Sequence, residues 1–164
     1  MKVGILTVSD KGARGERVDR SGPAVRELVE AAGGEVVRTD IVADDPDDIR
    51  AALIAWTAEG LDLILTTGGT GFSPRDRTPE VTRSVLEREA PGLAEAMRRA
   101  GAEKTPTAIL SRAVAGIRGE TLIINLPGSE KGARESLAAV LPTLPHAVEV
   151  LKGAAGDCAK PPRG

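Results

Sequence analysis

The amino-acid sequence predicts an α/β fold: a three-layer, doubly wound, mostly parallel sheet with helices on both faces and one hairpin-linked antiparallel strand. Three observations predict it. Short continuous apolar runs, such as residues 3–8 and 61–66, read as strands buried on both faces, the kind parallel sheets use. Between such runs, apolar residues recur at i, i+3, i+4 and i+7, one face of a helix. Glycine, proline and polar residues mark the joints.

The elements follow in order. Residues 3–8 form the first strand, and residues 9–22 a polar loop. Pro23 suits the first turn of a helix striped by Val25, Leu28, Val29 and Ala32, and Gly33-Gly34 stops it. Residues 35–42 read as the second strand. Asp45 caps the next helix, Pro46 fits its first position, and Asp47 and Asp48 favour its positive end. Ile49, Ala52, Leu53 and Trp56 form its buried stripe, which marks Trp56 as core, and Gly60 ends it. The third strand, 61–66, runs into the glycine loop Thr67-Gly68-Gly69-Thr70-Gly71. Thr78-Pro79-Glu80 opens a helix with Thr78 as its cap, and Pro91-Gly92 breaks it. Leu93, Ala96, Met97 and Ala100 stripe the helix after that. Residues 108–117 and 121–126 read as two strands turning at Arg118-Gly119. From Ser129 onward the apolar phase holds through Leu137, Val140, Leu141, Leu144, Val148 and Leu151, which predicts one helix kinked at Pro142 and Pro145. Residues 1–152 are expected to form one domain and 153–164 a flexible tail.

Composition narrows the function. The 164-residue chain carries 22 basic and 24 acidic residues, a net charge of −2, so no global field draws nucleic acid or an anionic membrane. With one Phe, one Trp and no Tyr, it lacks stacking platforms for single strands. One cysteine, Cys158, excludes an internal disulfide framework and a multi-cysteine metal site, and one histidine, His146, excludes a His-rich one. The first apolar run is too short for a signal or a span, so a cytoplasmic protein is expected.

Ligands on doubly wound sheets bind beyond the carboxyl ends of the strands. There the sequence gathers Ser9-Asp10, Asp44, the loop 67–76 and Pro127-Gly128-Ser129. The glycine loop offers backbone N–H groups to an anion, or is simply a tight turn needing positive φ. It matches neither the Walker A pattern nor G-x-G-x-x-G, since Pro74 takes the place of the third glycine. Asp76, between two arginines outside the helix, has no structural duty beyond a surface ion pair, and Asp44 is left over once helix capping has used Asp45, Asp47 and Asp48. Two carboxylates facing a phosphate cradle suit Mg²⁺, which takes a few carboxylate oxygens plus water and phosphate oxygens. Ser129 is either an ordinary cap or part of an anion site at a helix N-terminus. Ser111-Arg112 suits a contact to a phosphate or a pterin ring, or equally an edge-strand surface pair. Phe72 either covers a ligand or anchors the loop.

From Val3 to Lys152 the chain resembles the molybdopterin adenylyltransferase family, the MogA-type proteins and the G domains of gephyrin and its plant counterpart. The resemblance lies in Ser9-Asp10, Asp19-Arg20-Ser21-Gly22, Thr66 through Gly71, Ser73-Pro74-Arg75-Asp76 with Thr78-Pro79-Glu80, Leu110-Ser111-Arg112, Gly116-Ile117-Arg118-Gly119 and Asn125-Leu126-Pro127-Gly128-Ser129, all in order. The loop 11–18 matches poorly. The resemblance implies transfer of AMP from ATP to the terminal phosphate of molybdopterin with Mg²⁺, releasing pyrophosphate. It implies Asp44 and Asp76 as catalytic and metal-holding residues. It also implies Ser9, Asp10, Thr67, Gly68, Gly69, Thr70, Gly71, Ser111, Pro127, Gly128 and Ser129 as substrate and nucleotide contacts. A homotrimer and a downstream molybdate-insertion partner are further implications. The alternative is a non-catalytic molybdopterin-binding protein of the MoaB type; a scaffold role or molybdate insertion itself is expected to need a longer chain.

Overall fold

The computed structural model describes residues 1–153; the expected tail lies outside the described residues except for Gly153, as does Cys158. Among the described residues one sheet holds six strands in the order β2-β1-β3-β6-β5-β4. They are β1 (Lys2–Val8), β2 (Glu35–Val42), β3 (Leu63–Thr67), β4 (Arg88–Glu89), β5 (Ala115–Arg118) and β6 (Thr121–Leu126). β2, β1, β3 and β6 run parallel, and β5 runs against β6 and β4. The predicted hairpin is present, turning at Gly119 with φ +57°.

Alternation along the buried strands sends successive side chains to opposite layers. Val3, Ile5, Leu63, Leu65, Leu122 and Ile124 face one core. It is closed by α2 (Ser21–Ala31), α5 (Pro91–Ala102), α6 (Glu130–Val140) and α7 (Leu144–Leu151). Leu6, Val8, Ile64 and Ile123 face the other, closed by α3 (Pro46–Ala58) and α4 (Thr78–Val85). Trp56 is buried in that second core, as expected, with Arg38 over its ring. No helix among the described residues is long and apolar enough to cross a membrane.

Four local expectations are corrected. The 9–22 loop contains a short helix, α1 (Asp10–Ala13), because the Ser9 hydroxyl accepts the Gly12 N–H and caps it. Residues 106–110 coil into a 3₁₀ turn started by Pro106, so the strand expected over 108–117 is confined to β5. The helix from Thr78 stops at Val85 rather than at Pro91, and Arg88–Glu89 add a short edge strand. The expected kinked helix is two: Pro142 and Pro145 withhold backbone donors, and a 3₁₀ turn over Leu141–Thr143 separates α6 from α7.

Because the central strands are parallel and in register, Val8, Val42, Thr67 and Leu126 end on one rim. The segments that follow those four residues build the site.

Candidate functional site

The glycine turn after β3 is the centre of the rim. Gly68 and Gly69 have φ +92° and +64°, which L side chains rarely adopt. A Cβ on Gly68 would overlap the Val8 carbonyl, and one on Gly69 would overlap the Thr78 hydroxyl. Gly68 N–H donates to the Leu126 carbonyl at 3.1 Å, tying the turn to the end of β6. Below it, Asp19 accepts from the Thr7 hydroxyl at 2.7 Å and from the Ser21 hydroxyl at 3.0 Å. Ser21 in turn meets the Thr67 hydroxyl at 2.9 Å. This network joins the ends of β1, β3 and the start of α2, so the turn stands on a fixed base.

Asp44 follows β2. Its Oδ2 accepts the Asp10 N–H at 2.8 Å, and its own N–H donates to Asp10 Oδ1 at 2.9 Å. Arg75 grips the same Asp10 carboxylate through two nitrogens, at 3.0 and 2.8 Å. The Arg75 hydrogen bonds hold Asp10 below the usual carboxylate range. Asp44 goes the other way. Burial, together with the negative charges of Asp10 and Asp76, pushes its carboxyl up, against the pull of the Asp10 N–H and Arg75. Asp76 is half-buried, and its Oδ2 accepts the Ser73 N–H at 3.0 Å. That oxygen lies 2.9 Å from where a Gly71 Cβ would stand, beside the glycine turn.

Arg112 closes the loop from behind. Its N–H donates to the Thr70 carbonyl, its Nε to the Gly71 carbonyl at 2.7 Å, and its Nη2 to the Asp76 carbonyl at 2.9 Å. Nη1 pairs with Glu80 on α4. One guanidinium therefore fixes both ends of the segment from Gly71 to Asp76, and the backbone of the same residue holds Thr70.

Two cavities meet at this turn. One, of about 880 Å³, is lined by Ser9, Asp44, Thr67, Gly68, Gly69, Asp76, Gly128 and Ser129, with Arg17 and Arg20 at its side. The other, of about 670 Å³, is lined by Gly69, Thr70, Gly71, Asp76, Ser111, Pro127, Gly128 and Ser129, with Met97, Arg98, Leu110 and Lys131 beyond. Gly69, Asp76, Gly128 and Ser129 belong to both, so the two cavities adjoin along these residues as two lobes of one region. Each lobe has the volume of a small-molecule site.

Of the residues expected at the site, only Asp10 does not line the cleft. It stands behind Asp44 and holds it in place. Ser129 is an N-cap, accepting the Gly132 N–H at 3.1 Å, and it also faces both lobes. Phe72 is 70% exposed, so it does not anchor the loop within this chain. Thr78 is not the cap of α4. Arg77 occupies that position, and the Thr78 hydroxyl is buried without a partner. Sequence reasoning passed over the clamp role of Arg112, the Arg75–Asp10 pair, and Arg98, which donates to the Ser111 and Ala113 carbonyls. These contacts span 13 to 65 residues of chain, so no local pattern signals them.

The carboxylates of Asp44 and Asp76 are the side chains here that could hold a divalent cation. Among the described residues no three His, Cys, Asp or Glu side chains form a metal cage. A cation would therefore complete its shell with water and substrate oxygens, the habit of Mg²⁺. The raised Asp44 carboxyl fits such an ion, since a bound positive charge relieves the crowding of negative ones.

Fold and cleft define the class: a three-layer α/β domain with a glycine-lined, two-lobed ligand cleft at the carboxyl ends of its parallel strands. The chain belongs to the MoCF_biosynth family, described as "Probable molybdopterin binding domain", whose model matches residues 4–146. It is 44% identical over 154 residues to a protein of Helicobacter pylori named molybdopterin adenylyltransferase, covering 92% of this chain and 88% of that one. It is 42% identical over 159 residues to gephyrin of Dictyostelium discoideum, covering 91% of this chain but spanning only 22% of gephyrin. Among solved structures, the molybdopterin biosynthesis enzyme MoaB of Thermus thermophilus superposes with a TM-score of 0.89 at 61% identity, covering 93% of this chain and 96% of that one.

Proposed function

We propose that this chain is a molybdopterin adenylyltransferase that moves AMP from ATP onto the terminal phosphate of molybdopterin. The single observation that carries the reading is the juxtaposition of Asp44 and Asp76 at the glycine turn where the two lobes meet. The name of the Helicobacter pylori relative, which this chain matches over most of its length, supports the same activity.

The chemistry needs little from side chains. A phosphate oxygen of molybdopterin attacks the α-phosphorus of ATP, the bond from that phosphorus to the bridging oxygen breaks, and pyrophosphate leaves with the bond's electrons. The nucleophile is already an anion near neutral pH, so no strong base is required. The residues of the cleft supply position and charge compensation. The backbone N–H groups of Gly69, Thr70 and Gly71, and of Glu130 and Lys131 at the start of α6, are available to phosphate oxygens; that of Gly68 is taken by the Leu126 carbonyl. Asp44 and Asp76 would hold Mg²⁺, which when bound neutralises charge on the phosphates. The Arg112 clamp keeps the turn in shape while the substrates exchange.

The same reading takes the protein to work in the cytoplasm as a homotrimer and to pass its adenylylated product to a molybdate-insertion enzyme. The testing experiment is pyrophosphate release with ATP, Mg²⁺ and molybdopterin. Release that requires all three is the expected result. Binding of molybdopterin with no release of pyrophosphate would make this a binding protein instead.

A further inference from the structure

Among the described residues, most hydroxyls buried away from the cleft are put to use. Thr66 and Thr82 accept from the Asn125 amide, at 3.0 and 2.9 Å. Thr121 donates to the Leu61 carbonyl at 2.6 Å, and Thr67 joins the network under the turn. Thr78 differs from them. It is fully buried, and its Oγ1 is the buried side-chain polar atom that lacks a partner among the described residues. An unpaired hydroxyl in such a place costs free energy that a valine of similar shape would not. A structural cap does not explain it either, because Thr78 is not the cap.

A second unpaired atom lies beside it. Asp44 Oδ2 takes the Asp10 N–H, but no hydrogen bond reaches Asp44 Oδ1 among the described residues. Oδ1 stands 3.3 Å from the point where a Gly69 Cβ would be, and the Thr78 hydroxyl overlaps that same point. A spare donor and a spare acceptor thus flank the space that Gly69 leaves open by being glycine. The Thr78 N–H also donates to the Gly69 carbonyl at 3.2 Å, so the threonine and the turn are coupled.

We propose that Thr78 is a positioning residue of the cleft, its hydroxyl donating to Asp44 Oδ1 when a charged ligand occupies the glycine turn. A shift of the turn that closes the gap between the two atoms makes the bond. The bond holds Asp44 with both oxygens fixed, one by Asp10 and one by Thr78, in the orientation the ligand requires. Occupancy of the turn thereby gives the buried hydroxyl the partner that the chain itself does not provide. This inference rests on the reading that Asp44 faces a polyphosphate ligand.

The test compares Thr78→Val and Thr78→Ser with the wild type, all as the full chain. Calorimetry measures binding of Mg·ATP and of magnesium pyrophosphate, and thermal unfolding measures stability without ligand. Thr78→Val is expected to be at least as stable as the wild type without ligand, yet to bind Mg·ATP about tenfold more weakly, the effect of one hydrogen bond to a charged group. Thr78→Ser is expected to restore binding. A merely structural threonine would lower both quantities together. A crystal structure of the wild type with Mg·ATP is expected to show Oγ1 and Oδ1 at about 2.7 Å, an ordinary O–H···O distance. Unchanged binding by Thr78→Val, or the two atoms still apart in the liganded crystal, overturns the inference while leaving the adenylyl-transfer reading intact. A wild type that binds neither probe overturns both.

Discussion

Asp10 and Asp44 hold one another by reciprocal bonds, each carboxylate accepting the other's backbone N–H, at 2.8 and 2.9 Å. The pair locks the segment after β1 to the segment after β2. It turns the Asp44 side chain toward the glycine turn, while Arg75 balances the second negative charge. Asp10→Ala is therefore expected to act through Asp44. Turnover or Mg²⁺ affinity should fall about 10–100-fold, the usual effect of removing an outer support of a metal-holding carboxylate. The thermal midpoint should move little, because Asp10 supports no core residue. Steady-state kinetics at varied Mg²⁺, beside a melting curve, checks both halves.

The glycine turn gives a graded expectation. Gly68→Ala forces a Cβ against the fixed carbonyl of Val8 at a φ of +92°, with no side chain free to yield. Gly69→Ala meets the Thr78 oxygen, a side-chain atom that can yield only by a change of the Thr78 rotamer. Each change carries a strained backbone costing about 1–3 kcal/mol, and Gly68→Ala adds the backbone clash. At about 2–4 °C per kcal/mol for a chain of this size, Gly68→Ala should melt several degrees below Gly69→Ala. Both should lose activity, since either change reshapes the turn.

Much of the fold was legible and some of the site was not, for physical reasons. β2 was read to its true ends, and α3 began at Pro46 as its cap predicts, because strand runs and caps are local signals. The 3₁₀ turn at Pro106–Leu110 was missed because its apolar residues resemble a strand until their burial is known. Asp44 and Asp76 stood out because local helix chemistry left them unexplained. Arg112 did not, because its three carbonyl partners lie 36 to 42 positions away and only the folded chain brings them close.

That clamp supplies the next expectation. Arg112→Lys keeps a charge but cannot reach the Gly71 and Asp76 carbonyls and Glu80 together, because it lacks the planar fork. The loop from Thr70 to Asp76 should loosen. KM for ATP should rise several-fold, with a smaller fall in kcat. Hydrogen exchange over residues 70–76 should speed up in the variant, which ties the kinetic change to the loop.

At the opposite end of the sheet, Asp62 is 6% exposed and accepts the Lys2 N–H at 2.6 Å while pairing with Lys152. Burial raises its pKa, but the Lys152 and Lys2 hydrogen bonds outweigh it and the net shift is downward from 3.8. A carboxylate depressed in the folded state stabilises the fold above its unfolded pKa, and this contribution is lost as pH falls through the folded value. Asp62→Asn should therefore be less stable than the wild type at pH 7, by about 1–3 kcal/mol. The gap should shrink once the pH drops below 3.8, which denaturant titrations across that range would measure.

The central claim is that Asp44 and Asp76 act together at the junction of the two lobes. Its most direct test is pyrophosphate release by the Asp44→Asn/Asp76→Asn double variant, beside its affinity for molybdopterin. The account expects turnover to fall by about 10²–10³ or more, with molybdopterin still bound at close to the wild-type affinity. Near-normal adenylylation by a folded double variant would contradict it.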